Sequence, residues 1–499
     1  MISIILNRRE YEHDTYDLIK AFFSEEKLVV TEDGVLDLEG MKKANRLAVD
    51  DDIYYTFHLE IKETMELTIT KENEIIYHDK EAFAYDEKKL NRNQYKRFLY
   101  RALVTITNRQ LPWGTLTGVR PTKLVLNKLE EGEHASSIYD FMKQEYLCSD
   151  EKIGVSLKIA KRELEILEQC DYQNGYSIYI GIPFCPTICN YCSFASYSLE
   201  KHENVLGEYL DALEKEIIYA STCLPDKKLT TLYVGGGTPT SLNEEQLERL
   251  MIMIKTHFDF TFMQEYTVEA GRPDSITREK LQILKKYGVD RISINPQTMR
   301  QKTLDLIGRK HSVEQFVECY QMAREEGHDN INMDIILGLS GETVEDVAYT
   351  LEEIGKLVPD SLTVHTLAMK RAADLTINKD KYKEYKATKV SMMLEKSTDF
   401  TKEHGYEPYY LYRQKNMAEN LENVGYSKPG KEGIYNIIIM EEKQTILALG
   451  AGGLSKFVFH KENRLERVEN VKSIRDYITR IDEMIQRKYN FVENNRNIL

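Results

Sequence analysis

The stretch Gly181-Ile-Pro-Phe-Cys185-Pro-Thr-Ile-Cys189-Asn-Tyr-Cys192 decides how this chain is interpreted. It places three cysteines in a C-x₃-C-x₂-C run directly after the apolar segment 176–182, which predicts a buried strand. Iron–sulfur clusters are held by cysteine thiolates, normally four per cluster. Three local ligands would leave one iron open to a ligand that is not protein. The run therefore predicts an iron–sulfur site at the end of a strand.

Three other interpretations of the cysteines are weaker. A zinc site requires a second ligand pair at the usual spacing, and the sequence offers none. A disulfide needs an oxidising compartment, to which nothing in the sequence points. Three ordinary buried cysteines are not expected so close together beside Pro183 and Pro186. The remaining cysteines are scattered and are expected to be free thiols: Cys148, Cys170, Cys223 and Cys319.

The composition is that of a globular protein without general affinity for nucleic acid. The chain has 499 residues, of which 42% are hydrophobic, and this length predicts about two to four domains. Lys plus Arg total 67 and Asp plus Glu total 81, so the net charge is 67 − 81 = −14, which disfavours phosphate contacts. The first residues do not resemble a signal peptide, and no apolar run reaches transmembrane length. We expect a cytoplasmic monomer without a membrane span.

The rhythm of the sequence divides the chain into three parts. Residues 1–165 predict an N-terminal α+β domain, and residues 379–499 a C-terminal α+β extension with a long helix at 381–404 and a strand at 430–440. Between them, residues 166–378 repeat strand, turn and helix, which predicts an α/β domain with a parallel sheet, open or closed into a barrel. The six predicted strands are 178–182, 231–234, 266–269, 291–294, 332–336 and 361–366.

The cysteine run, with an aromatic residue before its last cysteine, resembles the radical S-adenosylmethionine (SAM) superfamily. The longer string Tyr179-Ile-Gly-Ile-Pro-Phe-Cys185 resembles the oxygen-independent coproporphyrinogen III dehydrogenases. Two departures stand out: those relatives have His at the position of Gly181 and the dehydrogenases have a fourth Cys at the position of Phe194. Four further strings resemble the longer, HemZ-like branch of that family: 113–123, 365–371, 408–416 and 447–456.

This resemblance implies an incomplete (β/α)₆ radical SAM barrel, whose active site lies at the C-terminal ends of the strands. A [4Fe–4S] cluster on Cys185, Cys189 and Cys192 would bind SAM at its open iron. The motif Val-Gly-Gly-Gly-Thr-Pro-Thr at 234–240 would cradle SAM, and its candidate contacts are Gly236, Gly237 and Thr238. Glu269 would hydrogen-bond the ribose of SAM, although a capping or ion-paired carboxylate is the simpler alternative.

The resemblance also implies a second SAM molecule, bound by Gln297, Arg309 and Asp334, with Ala368 among the cofactor contacts. A guanidinium group suits the carboxylate of SAM, and a carboxylate suits its ammonium group. The alternative is that Arg309 and Asp334 pair with each other, or with Lys310 and Glu342, and only brace loops.

Tyr179, counted with the cysteines as a catalytic candidate, and Tyr191 would frame the SAM sites. Lys370 and Arg371 are the candidates for binding the propionates of a tetrapyrrole substrate. The alternative, which has equal weight, is that they form a solvated basic turn with no role in binding.

The implied reaction is the oxygen-independent conversion of coproporphyrinogen III to protoporphyrinogen IX in haem biosynthesis. Reductive cleavage of SAM gives a 5′-deoxyadenosyl radical, which takes a hydrogen atom from a propionate, and loss of CO₂ and one electron leaves a vinyl group. The electron for SAM cleavage would come from a donor such as a flavodoxin or ferredoxin. Two alternatives remain: a haem-binding chaperone on the same scaffold and a radical SAM methyltransferase that acts on haem.

Overall fold

The computed structural model describes residues 1–24, 26–31, 53–84, 87–192, 196–368, 389–414 and 417–496. These residues form two compact units. One consists of Met1–Leu157 with Arg413–Leu421, and the other consists of Lys158–Tyr412 with Glu422–Leu499. The predicted boundary at residue 378 lies outside the described residues.

The first unit contains a five-stranded mixed sheet in the order β2-β1-β3-β4-β5. Strand β1 pairs in parallel with β2 and β3, and β4 and β5 follow β3 in antiparallel hairpins. Apolar side chains from the sheet and two long helices form one buried core, in which Phe57, Leu67 and Phe98 are fully buried. The elements are β1 (Ile2–Leu6), α1 (Glu12–Phe22), β2 (Leu28–Thr31), β3 (Tyr55–Ile61), β4 (Thr64–Lys71), β5 (Glu74–Ala82), α2 (Lys88–Thr107), α3 (Thr122–Glu130) and α4 (Ala135–Tyr146).

The next elements along the chain, up to the last strand of the predicted barrel, alternate between strands and helices. They are α5 (Asp150–Gln169), β6 (Gly175–Ile182), β7 (Phe184–Cys185), β8 (Tyr197–Ser198), α6 (Leu199–His202), α7 (Leu206–Cys223), β9 (Lys228–Gly236), α8 (Glu244–His257), β10 (Glu265–Gly271), α9 (Arg278–Lys286), β11 (Arg291–Ile294), α10 (Gln301–Leu306), α11 (Val313–Glu325), β12 (Ile331–Leu337), α12 (Val344–Leu357) and β13 (Ser361–Thr366).

The remaining elements belong to the C-terminal part of the chain and join the same sheet or cover it. They are α13 (Val390–Glu403), β14 (Glu407–Tyr412), β15 (Asn423–Ser427), α14 (Ile434–Glu441), β16 (Thr445–Leu449), β17 (Leu454–Phe459), β18 (Arg464–Glu469), α15 (Ile474–Thr479) and α16 (Ile481–Asn495).

The six predicted barrel strands are confirmed as β6, β9, β10, β11, β12 and β13, which pair in parallel in that order. The sheet continues beyond both ends of this run. Strand β15 pairs with β13 in antiparallel fashion, and β16 pairs with β6 in parallel. The six strands therefore form an incomplete barrel of α/β type whose margins are extended by the C-terminal part of the chain.

The predicted strand at 430–440 is wrong, because these residues form helix α14. A short, continuous apolar run such as Ile434-Tyr-Asn-Ile-Ile-Ile-Met fits a buried helix as well as a buried strand. The buried Glu265 carboxylate decides between them, since it accepts the backbone N–H groups of Ile434 and Tyr435 at 2.5 and 3.3 Å. A carboxylate at a helix N-terminus satisfies donors that have no partner within the helix.

A buried ion pair ties the C-terminal helix α16 to the barrel. Lys488 Nζ lies 2.7 Å from Glu216 Oε1, and both side chains are at most 1% exposed. Glu216 also accepts the N–H of Gly450, which follows β16, at 2.8 Å. Gly450 has a φ of +95°, and a Cβ there would lie 2.5 Å from the carbonyl oxygen of Gly181. Only glycine allows the loop after β16 to approach the end of β6 this closely.

Candidate active site

The cysteine loop leaves β6 and is held by hydrogen bonds from two sides. The N–H of Thr238 donates to the carbonyl of Phe184 at 2.8 Å, and the Thr238 hydroxyl donates to the Cys185 thiol at 3.5 Å. On the other side, the N–H of Asn190 donates to the carbonyl of Ile307 at 3.1 Å. Cys185 and Cys189 are buried, and Cys192 is half-buried. The loop thus lies between the motif after β9 and the end of α10.

The glycines of the 234–240 motif make room for this loop. A Cβ on Gly237 would lie 2.6 Å from the Phe184 carbonyl oxygen and 3.0 Å from the Cys185 thiol. Gly236 has a φ of +110°, a conformation that side chains disfavour. Gly237 and Thr238 therefore lie against the cysteine loop, and Gly236 lies against Ile182 at the end of β6, where the sequence predicts a cofactor cradle.

Glu269, near the end of β10, lies next to the same motif and is half-buried. A Cβ on Gly235 would lie 3.1 Å from its Oε2. The Tyr233 hydroxyl donates to Glu269 Oε1 at 2.5 Å, and the ring of Tyr179 stacks on that of Tyr233 with centroids 6.2 Å apart. Burial raises the pKa of Glu269 to about 7, against the opposing effect of the Tyr233 hydrogen bond. Its carboxyl group therefore titrates near neutral pH.

Gln297 combines a strained backbone with an unsatisfied side chain. Its φ is +65°, which is uncommon for a residue other than glycine. Its backbone bridges to β12, because its N–H donates to the Asp334 carbonyl and its own carbonyl accepts from Ile336, both at 3.0 Å. The side chain is 7% exposed, and Oε1 is buried without a hydrogen-bond partner among the described residues. A buried orphan acceptor of this kind is suited to a donor on a ligand.

Asp334, in β12, is surrounded by side chains that already bind it. Oδ1 accepts from the Asn332 amide at 2.7 Å and Oδ2 from the Asn295 amide at 2.9 Å. His365 Nε2, at the end of β13, lies 3.6 Å from Oδ2. Burial alone would raise the pKa of Asp334, but His365 and Asn332 lower it below its usual range.

Arg309 is 6% exposed and binds both the cysteine loop and the residue that follows β11. Its Nη1 donates to the Asn295 carbonyl at 3.0 Å, and its Nη2 donates to the Tyr191 hydroxyl at 3.3 Å, while Nε is buried without a partner among the described residues. Asn295 therefore connects Arg309 with Asp334, as its backbone carbonyl binds the first and its side-chain amide the second.

Three other residues at this site were not among those predicted from the sequence. Arg272, which follows β10, donates to the Thr187 carbonyl in the cysteine loop at 2.8 Å and lies 3.6 Å from the Cys189 thiol. Tyr233 binds Glu269, and Asn295 connects Arg309 with Asp334. Each of them lies at or just beyond the C-terminal half of a barrel strand, a position that could have marked it.

The predicted substrate residues Lys370 and Arg371 lie outside the described residues, as does Phe194. Ala368, the last described residue after β13, is half-buried. In the described part of the chain, no three His, Cys, Asp or Glu side chains are placed to hold a single metal ion. Among the helices described, none is long and apolar enough to span a membrane.

The residues present fit an iron–sulfur cluster with a bound nucleoside. Three thiols emerge from one short loop, and the adjoining glycines allow the backbone of the 234–240 motif to pack directly against the start of that loop. Glu269 and Gln297 Oε1 offer acceptors for hydroxyl or amino donors beside it. Cys185, Cys189 and Cys192 would hold the cluster.

Comparison with known proteins agrees with this chemistry. Residues 179–354 match the family model described as Radical SAM superfamily. The chain is 47% identical to "Oxygen-independent coproporphyrinogen-III oxidase-like protein HemZ" of Bacillus subtilis over 76% of this chain and 77% of that protein. It is 41% identical to "Heme chaperone HemW" of B. subtilis, over 38% of this chain and 50% of that protein. It is 33% identical to "Oxygen-independent coproporphyrinogen III oxidase" of Escherichia coli, over 38% and 42%.

Among solved structures, the fold is similar to that of the E. coli coproporphyrinogen III oxidase HemN, which is described as a radical SAM enzyme. The TM-score is 0.50 at 24% identity, over 64% of this chain and 73% of that chain.

The fold and the cysteine loop thus define a radical SAM protein, and a [4Fe–4S] cluster and SAM are its cofactors. Within that superfamily, the chain belongs to the family of the HemZ coproporphyrinogen-III oxidase-like proteins.

Proposed function

We propose that this protein catalyses the oxygen-independent oxidative decarboxylation of coproporphyrinogen III to protoporphyrinogen IX. With the cluster and SAM bound, the chemistry supplied is hydrogen-atom abstraction from the β-carbon of a propionate. The bond to the carboxyl group then breaks, CO₂ leaves, one electron passes to an acceptor and a vinyl group remains. Two propionates react in this way, one after the other.

The chain's own residues bind and orient in this proposal. Glu269 accepts the ribose hydroxyl groups of SAM, since its carboxylate lies near the end of β10 beside the glycine cradle. The rings of Tyr179, Tyr233 and Tyr435 stack with centroids 4.6 to 6.3 Å apart, and the hydroxyl of Tyr233 donates to Glu269, so that this stack holds the carboxylate in position. Lys370 and Arg371 remain the candidates for the propionates of the substrate.

The observation that carries the proposal is the polar group formed by Gln297, Arg309 and Asp334 near the cysteine loop. Arg309 binds Tyr191, which directly precedes Cys192, so this group lies next to the loop. Gln297 Oε1 and Arg309 Nε are buried without partners among the described residues, and each can bind a further polar ligand. These two atoms support a second SAM molecule, with Arg309 at its carboxylate and Asp334 at its ammonium group.

One observation favours a second candidate, a haem-binding chaperone. The B. subtilis relative named "Heme chaperone HemW" is more similar to the matched part of this chain, at 41%, than the E. coli oxidase is, at 33%. A chaperone would hold a tetrapyrrole without converting it.

Product analysis separates the candidates. The reconstituted protein is incubated without oxygen with coproporphyrinogen III, SAM and a strong reductant, and the porphyrins are separated after oxidation. We expect products with one and two vinyl groups in place of propionates. Haem bound tightly, with no vinyl product, would replace the proposal by the chaperone. A methylated tetrapyrrole would replace it by methyl transfer.

A further inference from the structure

A buried ion pair beside the cysteine loop has no part in the function proposed above. Arg272 directly follows β10, and its side chain is 4% exposed. Its Nε and Nη2 donate to the two oxygens of Asp274 at 2.9 and 2.6 Å. This two-pronged pairing fixes the plane of the guanidinium group, which a single contact would leave free to rotate.

The fixed guanidinium group directs its remaining nitrogen into the cysteine loop. Nη1 donates to the carbonyl of Thr187 at 2.8 Å and to the Cys189 thiol at 3.6 Å. Thr187 lies between Cys185 and Cys189 in the sequence, so one nitrogen binds both the backbone and a thiol of the same short loop. Arg272 thereby restrains the part of the loop that connects two of the three proposed cluster ligands.

Two buried guanidinium groups bind this loop. The second is Arg309, whose Nη2 donates to the hydroxyl of Tyr191, a loop residue, at 3.3 Å. Asp274 supplies one negative charge. His311 is fully buried and adds none, because burial and the neighbouring Arg309 lower its pKa to about 3. Among the described residues that bind this loop, Arg272 and Arg309 are therefore cationic, and Asp274 is paired with Arg272. The potential of an iron–sulfur cluster depends on its net charge and on hydrogen bonds to its sulfurs.

We propose that Arg272, held in place by Asp274, positions the cysteine loop and stabilises the reduced form of the cluster. Reduction adds a negative charge to a group already carrying three thiolates, and a buried cation with an N–H directed at sulfur favours the more negative form. Arg272 is thus a positioning residue. The inference rests on the proposed cluster site and is independent of the tetrapyrrole reaction.

The test is the reduction potential of the reconstituted full chain, measured without oxygen by a redox titration followed by electron paramagnetic resonance. Arg272→Gln removes the positive charge. Arg272→Lys keeps the charge but cannot form the two-pronged pairing with Asp274. Arg324→Gln is the matched control, because Arg324 also forms a part-buried ion pair, with Asp360 at 2.7 Å. Asp360 directly precedes β13, so this pair lies at the opposite end of that strand from the site. Iron content and the rate of iron loss to a chelator are measured in parallel.

For Arg272→Gln we expect the ratio of reduced to oxidised cluster at a fixed potential to fall about tenfold, which corresponds to a midpoint 59 mV lower for one electron. Arg324→Gln should keep the wild-type midpoint. Arg272→Lys should keep a midpoint near the wild type but lose iron to the chelator several-fold faster. An unchanged midpoint in Arg272→Gln with full iron content would overturn the proposal.

Folding is checked by circular dichroism of each variant. If Arg272→Gln is folded but cannot retain iron, the positioning role is supported. If it does not fold, Arg272→Lys decides, and wild-type iron retention in that variant would overturn the proposal. Failure of the cluster site itself has a different signature, namely full iron content in Cys189→Ala.

Discussion

Two carboxylates on nearby strands of the same parallel sheet have very different surroundings. Glu269, on β10, faces a glycine-lined surface and has its pKa raised to about 7, chiefly by burial. Asp334, on β12, is bound by Asn295 and Asn332 and lies 3.6 Å from His365, and its pKa is lowered. Asp334 thus has three polar side chains around it, whereas Glu269 has the Tyr233 hydroxyl and a backbone N–H of Gly236.

This difference predicts different energetics for the two proposed SAM sites. A ligand at Glu269 gains hydrogen bonds to a half-buried carboxylate that has fewer side-chain partners than Asp334, and such bonds are worth about 1.5–3 kcal/mol when one partner is charged. A ligand at Asp334 has to exchange with amide donors already in place, so its net gain is smaller. The first site should therefore bind SAM more tightly than the second.

The largest effect is expected from loss of the iron–sulfur cluster, on which both proposed SAM sites depend. Replacing Cys185, Cys189 or Cys192 by Ala should abolish the cluster and all SAM cleavage, because the three thiols come from one loop. Iron content and visible absorbance after anaerobic reconstitution measure this. Cys148→Ala and Cys319→Ala are the controls and should keep full iron, since both thiols are buried elsewhere in the chain. Cluster loss in a control, with retention in Cys189→Ala, would refute the site.

Glu269→Ala should weaken SAM binding roughly tenfold to a hundredfold while leaving the cluster intact, as expected for the loss of about 1.5–3 kcal/mol. Asp334→Ala should weaken it less, because only the second site is affected. Equilibrium binding of SAM to the oxidised protein measures both. Equal losses in the two variants would remove the contrast between the carboxylates.

The affinity for SAM should also depend on pH through Glu269. The ionised carboxylate is the better acceptor for ribose hydroxyl groups, and its pKa is raised to about 7. Affinity should thus increase by at most about tenfold between pH 6 and 8. In the free protein, the raised pKa of Glu269 affects folding stability in the opposite direction. It stabilises the fold below the ordinary pKa of a glutamate, and this stabilisation is lost as the pH rises through 7. Glu269→Gln should flatten both profiles, and a pH-dependent affinity in that variant would assign the effect to another group.

The smallest expected effect is a change of stoichiometry. We expect two SAM molecules per cluster in the wild type and one in Arg309→Gln, because the second site loses its only guanidinium contact. Rapid equilibrium dialysis with labelled SAM counts them. Glu342→Gln is the control, since Glu342 binds the Thr298 hydroxyl at 2.5 Å and is proposed to contact no ligand. A ratio of one in the wild type would leave a single site, at Glu269.

The sequence was sufficient for the parallel part of the fold because, from β6 to β12, each buried barrel strand is followed by an amphipathic helix before the next one begins. Strands 291–294 and 361–366 were predicted to the residue, as β11 and β13. Helix α14 was not predicted, because a local apolar pattern does not distinguish a buried helix from a buried strand. The contact that decides between them comes from Glu265, which is far away in the sequence. The parallel pairing of β16 with β6 is likewise a long-range contact.

The same reasoning applies to the site. The motif positions could be named because chemistry and spacing are local: three thiols in one loop, three glycines in one turn. Arg272 could not, because its role depends on β10 lying beside the cysteine loop. Nor could the sequence show that Asp334 is already bound by Asn295, directly after β11, and lies beside His365 in β13.

The pairing of β6 with β16 has a consequence for biosynthesis. Strand β6 and the cysteine loop are translated by residue 192, whereas β16 begins at Thr445 and the buried Lys488 that braces the adjoining loop follows later still. At ribosomal rates of about 5–20 residues per second, the interval from the loop to β16 lasts about 10–50 s. During that time β6, the strand that precedes the cysteine loop, lacks β16, one of its two neighbours in the sheet. We therefore expect cluster insertion to follow translation, so that supply of iron and sulfur to finished chains, and not to nascent ones, limits the yield of active protein.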